Sequence, residues 1–265
     1  MLAPASATLF SEPMPAQHRL FHVSDIHFGV EHRDALQWFA DAVHAERPDA
    51  VICTGDLTQR ATHKQFAQAR SFFRGLKTPV VLEPGNHDMP YYNLWERFTQ
   101  PYKRYGALAK AVGISLELEH LVTIPLKTTV RAQPRFPWSD GYVREEALAA
   151  TIARLRDLAP DPRFKIVTAH HPLLPAEESS KNPTIGGDQA FAELVDAGAD
   201  AIMTGHVHVP FDLQRASGNR SMRMIGAGTL STRLRGAEPG YNLVSFDPDT
   251  GLVVEQRVFG GDSDR

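Results

Sequence analysis

Two rhythms of apolar residues alternate along this chain. Short continuous runs at 20–23, 50–54, 79–82, 164–169 and 201–204 predict strands buried on both faces. Between them the spacing turns helical. Ala35, Leu36, Phe39, Ala40 and Val43 share one face before Pro48, and Phe66, Ala69, Phe72, Phe73 and Leu76 share another. Residues 91–112 are aromatic and helix-like, and 116–125 alternate as an extended strand does. Leu148, Ile152 and Leu155 mark a helix over 144–158, and Phe191, Leu194 and Val195 mark one with Asp188 as its expected N-cap. Beyond Pro210 the pattern becomes short β segments at 211–215, 222–226, 241–246 and 252–259. Strand–helix alternation followed by a β-rich end predicts one layered α/β domain with a mixed sheet.

Composition narrows the class without changing the fold. The 265 residues, 42% hydrophobic and 22% charged, suffice for a large core. A formal net charge of -3 provides no basic excess for the phosphates of a long nucleic acid, so none is expected as a partner. The single cysteine, Cys53, lies inside an apolar run and predicts a buried thiol in a reducing compartment, with the cytoplasm the simplest location. Residues 1–17 are rich in Pro and Ala, lack the features of a signal peptide, and are expected to be a flexible tail. The expected domain runs from 18 to 260, with a short tail over 261–265. No run approaches the ~20 apolar residues of a membrane span. Arg215, Arg220, Arg223, Arg233 and Arg235 read most simply as a solvated face; a homodimer interface or a phosphate contact is the sharper alternative.

Polar clusters stand at the carboxyl ends of five of these strands. They are Asp25-x-His27, Gly55-Asp56, Gly85-Asn86-His87-Asp88, His170-His171 and Gly205-His206-x-His208. Each alone is an ordinary turn or cap, because Gly, Asn and Asp accept left-handed backbone and bond it locally. Their recurrence is the signal, since ligands of α/β sheets bind beyond the carboxyl ends of the strands. The donors are oxygen and nitrogen only, which favours Mn, Fe, Zn or Co over a structural zinc site.

This ordered set resembles the calcineurin-like metallophosphoesterase superfamily over about residues 19–260. The resemblance implies a four-layer α/β/β/α sandwich of two facing mixed sheets flanked by helices. It also implies two divalent or mixed-valence transition-metal ions. One would take Asp25, His27, Asp56 and His208; the other would take Asp56, Asn86, His170 and His206, with Asp56 bridging. His87 would be a catalytic histidine, and Asp88 the carboxylate that orients it. Two cations can neutralise a phosphodiester's charge and activate a bridging hydroxide for in-line attack, with His87 helping the leaving oxygen.

Within the superfamily, protein phosphatases have an Arg-Gly pair soon after Gly-Asp and a Glu after Asn-His. This chain has neither: Gly55-Asp56-Leu57-Thr58 leads into a Thr and a Gln-Phe pair, and Asp88 follows His87. These features look like the class III cyclic-nucleotide phosphodiesterase branch. The expected substrate is a small phosphodiester, with 3′,5′-cyclic nucleotides as one class; phosphomonoester hydrolysis on the same metals is the alternative, and a non-catalytic scaffold the third. Tyr91, Tyr92, Trp95, Phe136, Trp138 and Tyr142 are expected mostly in packing, and could also cap a base or acyl group.

Overall fold

Residues that alternate in the buried runs point to opposite sides, and both sides find apolar partners. β1 (His18–Val23), β2 (Ala50–Cys53) and β3 (Val80–Leu82) pair in parallel. On the other side of β1, β9 (Gly240–Asp247) and β10 (Gly251–Val258) continue the sheet antiparallel, in the order β10-β9-β1-β2-β3. A second sheet contains β4 (Leu121–Pro125), β5 (Phe164–Thr168), β6 (Ala201–Thr204), β7 (Phe211–Ser217) and β8 (Arg220–Gly226), in the order β4-β5-β6-β8-β7. Its strands run parallel from β4 to β8, and β7 is antiparallel at the edge. The computed structural model describes residues 17–135, 137–176 and 184–261. The expected tails outside 17–261, and Phe136, lie outside those residues.

Leu20, Ile52 and Val81 from the first sheet join Ile166, Met203 and Ile225 from the second in one core between the sheets. The opposite face of the first sheet, with Phe21, Val51 and Cys53, packs on α1 (Arg33–Glu46) and α2 (His63–Gly75). The outer face of the second, with Val122, Val167 and Ile202, packs on α5 (Glu145–Asp157) and α6 (Gly187–Asp196). The result is the expected four-layer α/β/β/α arrangement. Local signals agree with it: Thr62 and Gln65 form a reciprocal capping box at α2, and Arg47 closes α1 in the left-handed region.

Three local expectations are corrected. The 91–112 stretch is two helices, α3 (Leu94–Thr99) and α4 (Lys103–Val112), broken at Gln100-Pro101, where proline disfavours helical backbone in the residue before it. The 116–125 stretch folds back on itself, with Glu117 bridging to Val122, so only its second half enters the sheet. Asp188 lies inside the first turn of α6, whose N-cap is Gly186 in the left-handed region.

Phe39 is the aromatic hub of the first sheet's helical layer, fully buried and 5.0 Å from Tyr241 between ring centroids. Phe39→Ala is expected to lower the unfolding free energy by about 3–5 kcal/mol, because this packed cluster collapses poorly around a void. Urea denaturation followed by circular dichroism checks this; a loss below about 1 kcal/mol would contradict the packing described.

Candidate metal centre

The parallel strands β1, β2, β3, β5 and β6 all end at one edge of the stacked sheets, and their following loops are stitched together there. Asp25 N donates to the Gly55 carbonyl, His27 N to the Asp56 carbonyl, and Gly205 N to the His170 carbonyl, all at 2.9–3.0 Å. Turning each strand so sharply strains the backbone. Among the described residues eight non-glycine positions have positive φ, and five of them are Asp25, His27, Asp56, His206 and His208. Such conformations cost roughly 1–3 kcal/mol each and persist where surrounding contacts over-determine them. Gly205 belongs to the same constraint: a Cβ there would overlap Ser24 Oγ and come within 2.7 Å of Asp25 Oδ2.

The strained loops gather two buried carboxylates and a set of imidazoles. Asp25 Oδ1 lies 3.0 Å from His208 Nε2 and 3.6 Å from His27 Nε2. Asp56 reaches both sides, with Oδ2 3.7 Å from His27 Nε2 and Oδ1 3.6 Å from His170 Nε2. Asn86 Oδ1 is 3.2 Å from the same His170 nitrogen. The His206 ring meets His170 edge-on, with centroids 5.2 Å apart, and its backbone N–H donates to Asp25 Oδ2. Every predicted ligand is therefore placed at this edge.

The hydrogen bonds show which ring nitrogens face inward. His208 Nδ1 donates to the Arg233 carbonyl at 2.6 Å and His170 Nδ1 to the Thr54 carbonyl at 2.7 Å. In the neutral rings Nε2 is then a lone pair. His208 Nε2 and His27 Nε2 face each other at 3.3 Å, and Asp25 Oδ1 is buried with no hydrogen-bond donor among the described residues. Converging lone pairs and an orphaned carboxylate oxygen would repel one another; a cation accepts all of them at once, so these residues fit a metal.

Electrostatics point the same way. Burial lowers the His27 imidazole to about 4 and that of His206 to about 3, which keeps both neutral. Burial also opposes charge on Asp25, but His208 and His170 outweigh it and hold the carboxyl below its usual range. For His170, burial is likewise outweighed, by Asp56 above all, and the ring rises to about 9. A cation bound at this point displaces that proton.

His87 lies beside the cluster, with its ring centroid 4.9 Å from that of His27. The expected pairing with Asp88 is corrected. His87 Nδ1 donates to the Gln59 carbonyl at 2.9 Å, whereas Asp88 accepts from the backbone of Leu57, Thr58 and Gly85 and from the Thr58 hydroxyl. Asp88 thus ties two strand-end loops together, and a backbone carbonyl orients the histidine. His171 is buried beside His170 and His206, with both ring nitrogens bonded, to Thr128 Oγ1 and the Ser139 carbonyl. Arg233, expected on a solvated face with an interface or a phosphate contact as the sharper alternative, lies beside the cluster. Its Nη1 lies 3.0 Å from His87 Nε2, 3.4 Å from His27 Nε2 and 3.3 Å from Gln59 Oε1. No periodicity or motif marks it; only the pinning of its loop brings it here. A recess of about 510 Å³ adjoins the cluster, lined by Asn86, His87, Tyr91, Leu94, Arg97 and Trp138 among others.

Two facing mixed sheets with helices outside and a carboxylate–imidazole cluster at the strand ends define the metallophosphoesterase class. Residues 18–210 match the calcineurin-like phosphoesterase family, and the chain belongs to that family. The chain is 27% identical over 270 residues to a cAMP/cGMP dual specificity phosphodiesterase of Mycobacterium tuberculosis, covering 92% of this chain and 80% of the relative. It is 35% identical over 176 residues to a glycerophosphodiester phosphodiesterase of Enterobacter lignolyticus, covering 62% and 60%. A third relative, one component of the SbcCD nuclease of Staphylococcus saprophyticus, is 22% identical; the alignment takes in 86% of this chain and 65% of that component's length. The fold is shared with a purple acid phosphatase of yellow lupin seeds (TM-score 0.60, 13% identity, 92% of this chain and 52% of that one). It is also shared with a dimetal phosphatase from Danio rerio (TM-score 0.57, 11% identity, 92% and 99%). The protein is therefore a phosphoesterase, and its cluster is compatible with a dinuclear metal site.

Asp56 approaches His27 with one carboxylate oxygen and His170 with the other. Asp56→Ala is expected to lose both metals and activity to the detection limit, whereas Asp25→Ala should mainly empty one position. Metal analysis after desalting decides this; two tightly held ions per chain in Asp56→Ala would contradict the bridging position.

Proposed function

We propose that residues 18–260 act as a single domain that hydrolyses small phosphodiesters at a dinuclear centre. In this reading Asp25, His27, Asp56 and His208 hold one cation, and Asp56, Asn86, His170 and His206 hold the other. The observation that carries it is the orphaned Asp25 Oδ1 among converging imidazole lone pairs, with Asp56 reaching the histidines on both sides. Mn, Fe, Zn and Co all suit such oxygen and nitrogen donors. When bound, two such cations supply positive charge against the diester anion and an acidified water for in-line attack on phosphorus.

The chain's own residues do the rest. Carbonyls of Thr54 and Arg233 hold His170 and His208 in the tautomer that turns Nε2 inward. Asp88 and the cross-loop backbone bonds keep the donors in strained positions they would not otherwise adopt. The recess beside Asn86 and His87 has room for one substituent of a small diester, and its walls offer Tyr91, Leu94 and Trp138 to an apolar or planar group. The net charge of -3 supports a small substrate over a long nucleic acid. Relatives named for cyclic-nucleotide and glycerophosphodiester cleavage support a diester over a monoester.

The test is a metal-stripped protein reloaded separately with Mn, Fe, Zn or Co. Each form is assayed against cyclic nucleotides, glycerophosphodiesters, an aryl phosphodiester and the matching aryl monoester. The aryl diester is expected to be cleaved faster than its monoester in every active metal form. Faster monoester cleavage across several metals would sink the diesterase reading in favour of a phosphomonoesterase.

A further inference from the structure

Glu83 is a buried acid outside the metal-ligand set. It follows β3 directly and is 4% exposed, and its Oε1 accepts from Thr168 Oγ1 of the second sheet at 2.6 Å. Oε2 has no hydrogen-bond donor among the described residues, yet it is not sealed from solvent. Burial pushes the carboxyl up to about 8. A polar group in such a place costs free energy unless something hydrogen-bonds it.

Glu83 and Thr168 line a cavity of about 750 Å³ that shares no lining residue with the recess beside His87. It lies between β3 and β4, the facing edge strands of the two sheets, with Tyr105 of α4 and Thr151 of α5 also in its wall. Leu82, Ile114, Ile124 and Pro125 make that wall largely apolar. Lys127 and Arg144 line its exposed side. Neither has a salt bridge among the described residues; each lies instead near a tyrosine ring, Tyr102 at 4.7 Å and Tyr142 at 5.9 Å. Arg154 beside them is paired with Glu117, and Glu146 is the one acid besides Glu83 among the described lining residues. Water would satisfy Glu83 alone. The apolar wall and the two unpaired cations add what an organic anion matches and water does not.

We propose that this cavity is a second ligand site, separate from the metal centre, for a small amphipathic anion. Its apolar body would lie against the wall, a hydroxyl would hydrogen-bond Glu83, and a phosphate, sulfonate or carboxylate would face Lys127 and Arg144. A hydroxyl both donates and accepts, so it suits the carboxyl in either protonation state. The inference does not depend on which phosphate ester the metal centre cleaves.

The test is calorimetry with naphthalene-2-sulfonate and 6-hydroxynaphthalene-2-sulfonate on the Mn-loaded protein, with and without saturating inorganic phosphate. Both probes are expected to bind, the hydroxylated one roughly threefold to tenfold tighter, the scale of one net hydrogen bond, and phosphate should displace neither. Glu83→Leu should bind the two probes alike, whereas Glu83→Gln should keep the preference for the hydroxyl. The exposed pair Lys127→Ala/Arg144→Ala should weaken both probes roughly tenfold or more, the scale of hydrogen bonds to charged groups. Trp95→Ala, on an exposed aromatic outside the cavity, should change nothing. No binding of either probe, displacement by phosphate, unchanged affinity in Lys127→Ala/Arg144→Ala, or loss of binding in Trp95→Ala would overturn the site. The same hydroxyl preference in Glu83→Leu as in the wild-type protein would overturn the role of Glu83.

Discussion

Two buried carboxylates, Asp25 and Asp56, set the terms for everything at this edge of the molecule. Taking a carboxylate out of water is costly unless charge or hydrogen bonds replace the lost hydration. Asp25 Oδ2 has a backbone N–H from His206, Asp56 Oδ1 has one from His87, and the other oxygens face imidazole nitrogens instead of donors. That arrangement needs positive charge to be stable. It also explains why so much of the local backbone is left-handed: only sharp turns directly after the strands bring these side chains to one point.

The fold supplies the convergence. Parallel strands put all their carboxyl ends at one edge, and stacking two sheets brings Asp25 and Asp56 from one against His170, His206 and His208 from the other. The core between the sheets, from Leu20 to Ile225, is therefore what holds the two halves of the donor set in register. The loop after β8 completes the edge from outside, its carbonyl holding His208 and its guanidinium facing His87. Charge selects the chemistry: a site that buries carboxylates without enough donors attracts cations.

Much of this was legible in the residues themselves. The buried runs and helical spacings marked β1, β2, α1, α2, α5 and β6 because each has a period that burial alone explains. The strand-end clusters were legible because five polar groups recurred where turns alone give no reason for them. What was hidden depends on contacts distant in sequence. Asp88 looks like a partner for its neighbour His87, yet its carboxylate is used by backbone N–H groups some 30 residues away. Arg233 resembles its fellow arginines until the loop is pinned to Val30 and Asp25. The break at Pro101 was local and readable, but the aromatic run on either side of it obscured the boundary.

The proposed function requires two cations to share Asp56. Anomalous diffraction from crystals of the Mn-loaded protein tests it most directly. Two peaks are predicted, roughly 3.5–4 Å apart as in other two-metal sites, one beside Asp25, His27 and His208, the other beside Asn86, His170 and His206, and both in bonding range of Asp56. A single peak, or two peaks of which only one reaches Asp56, would contradict it.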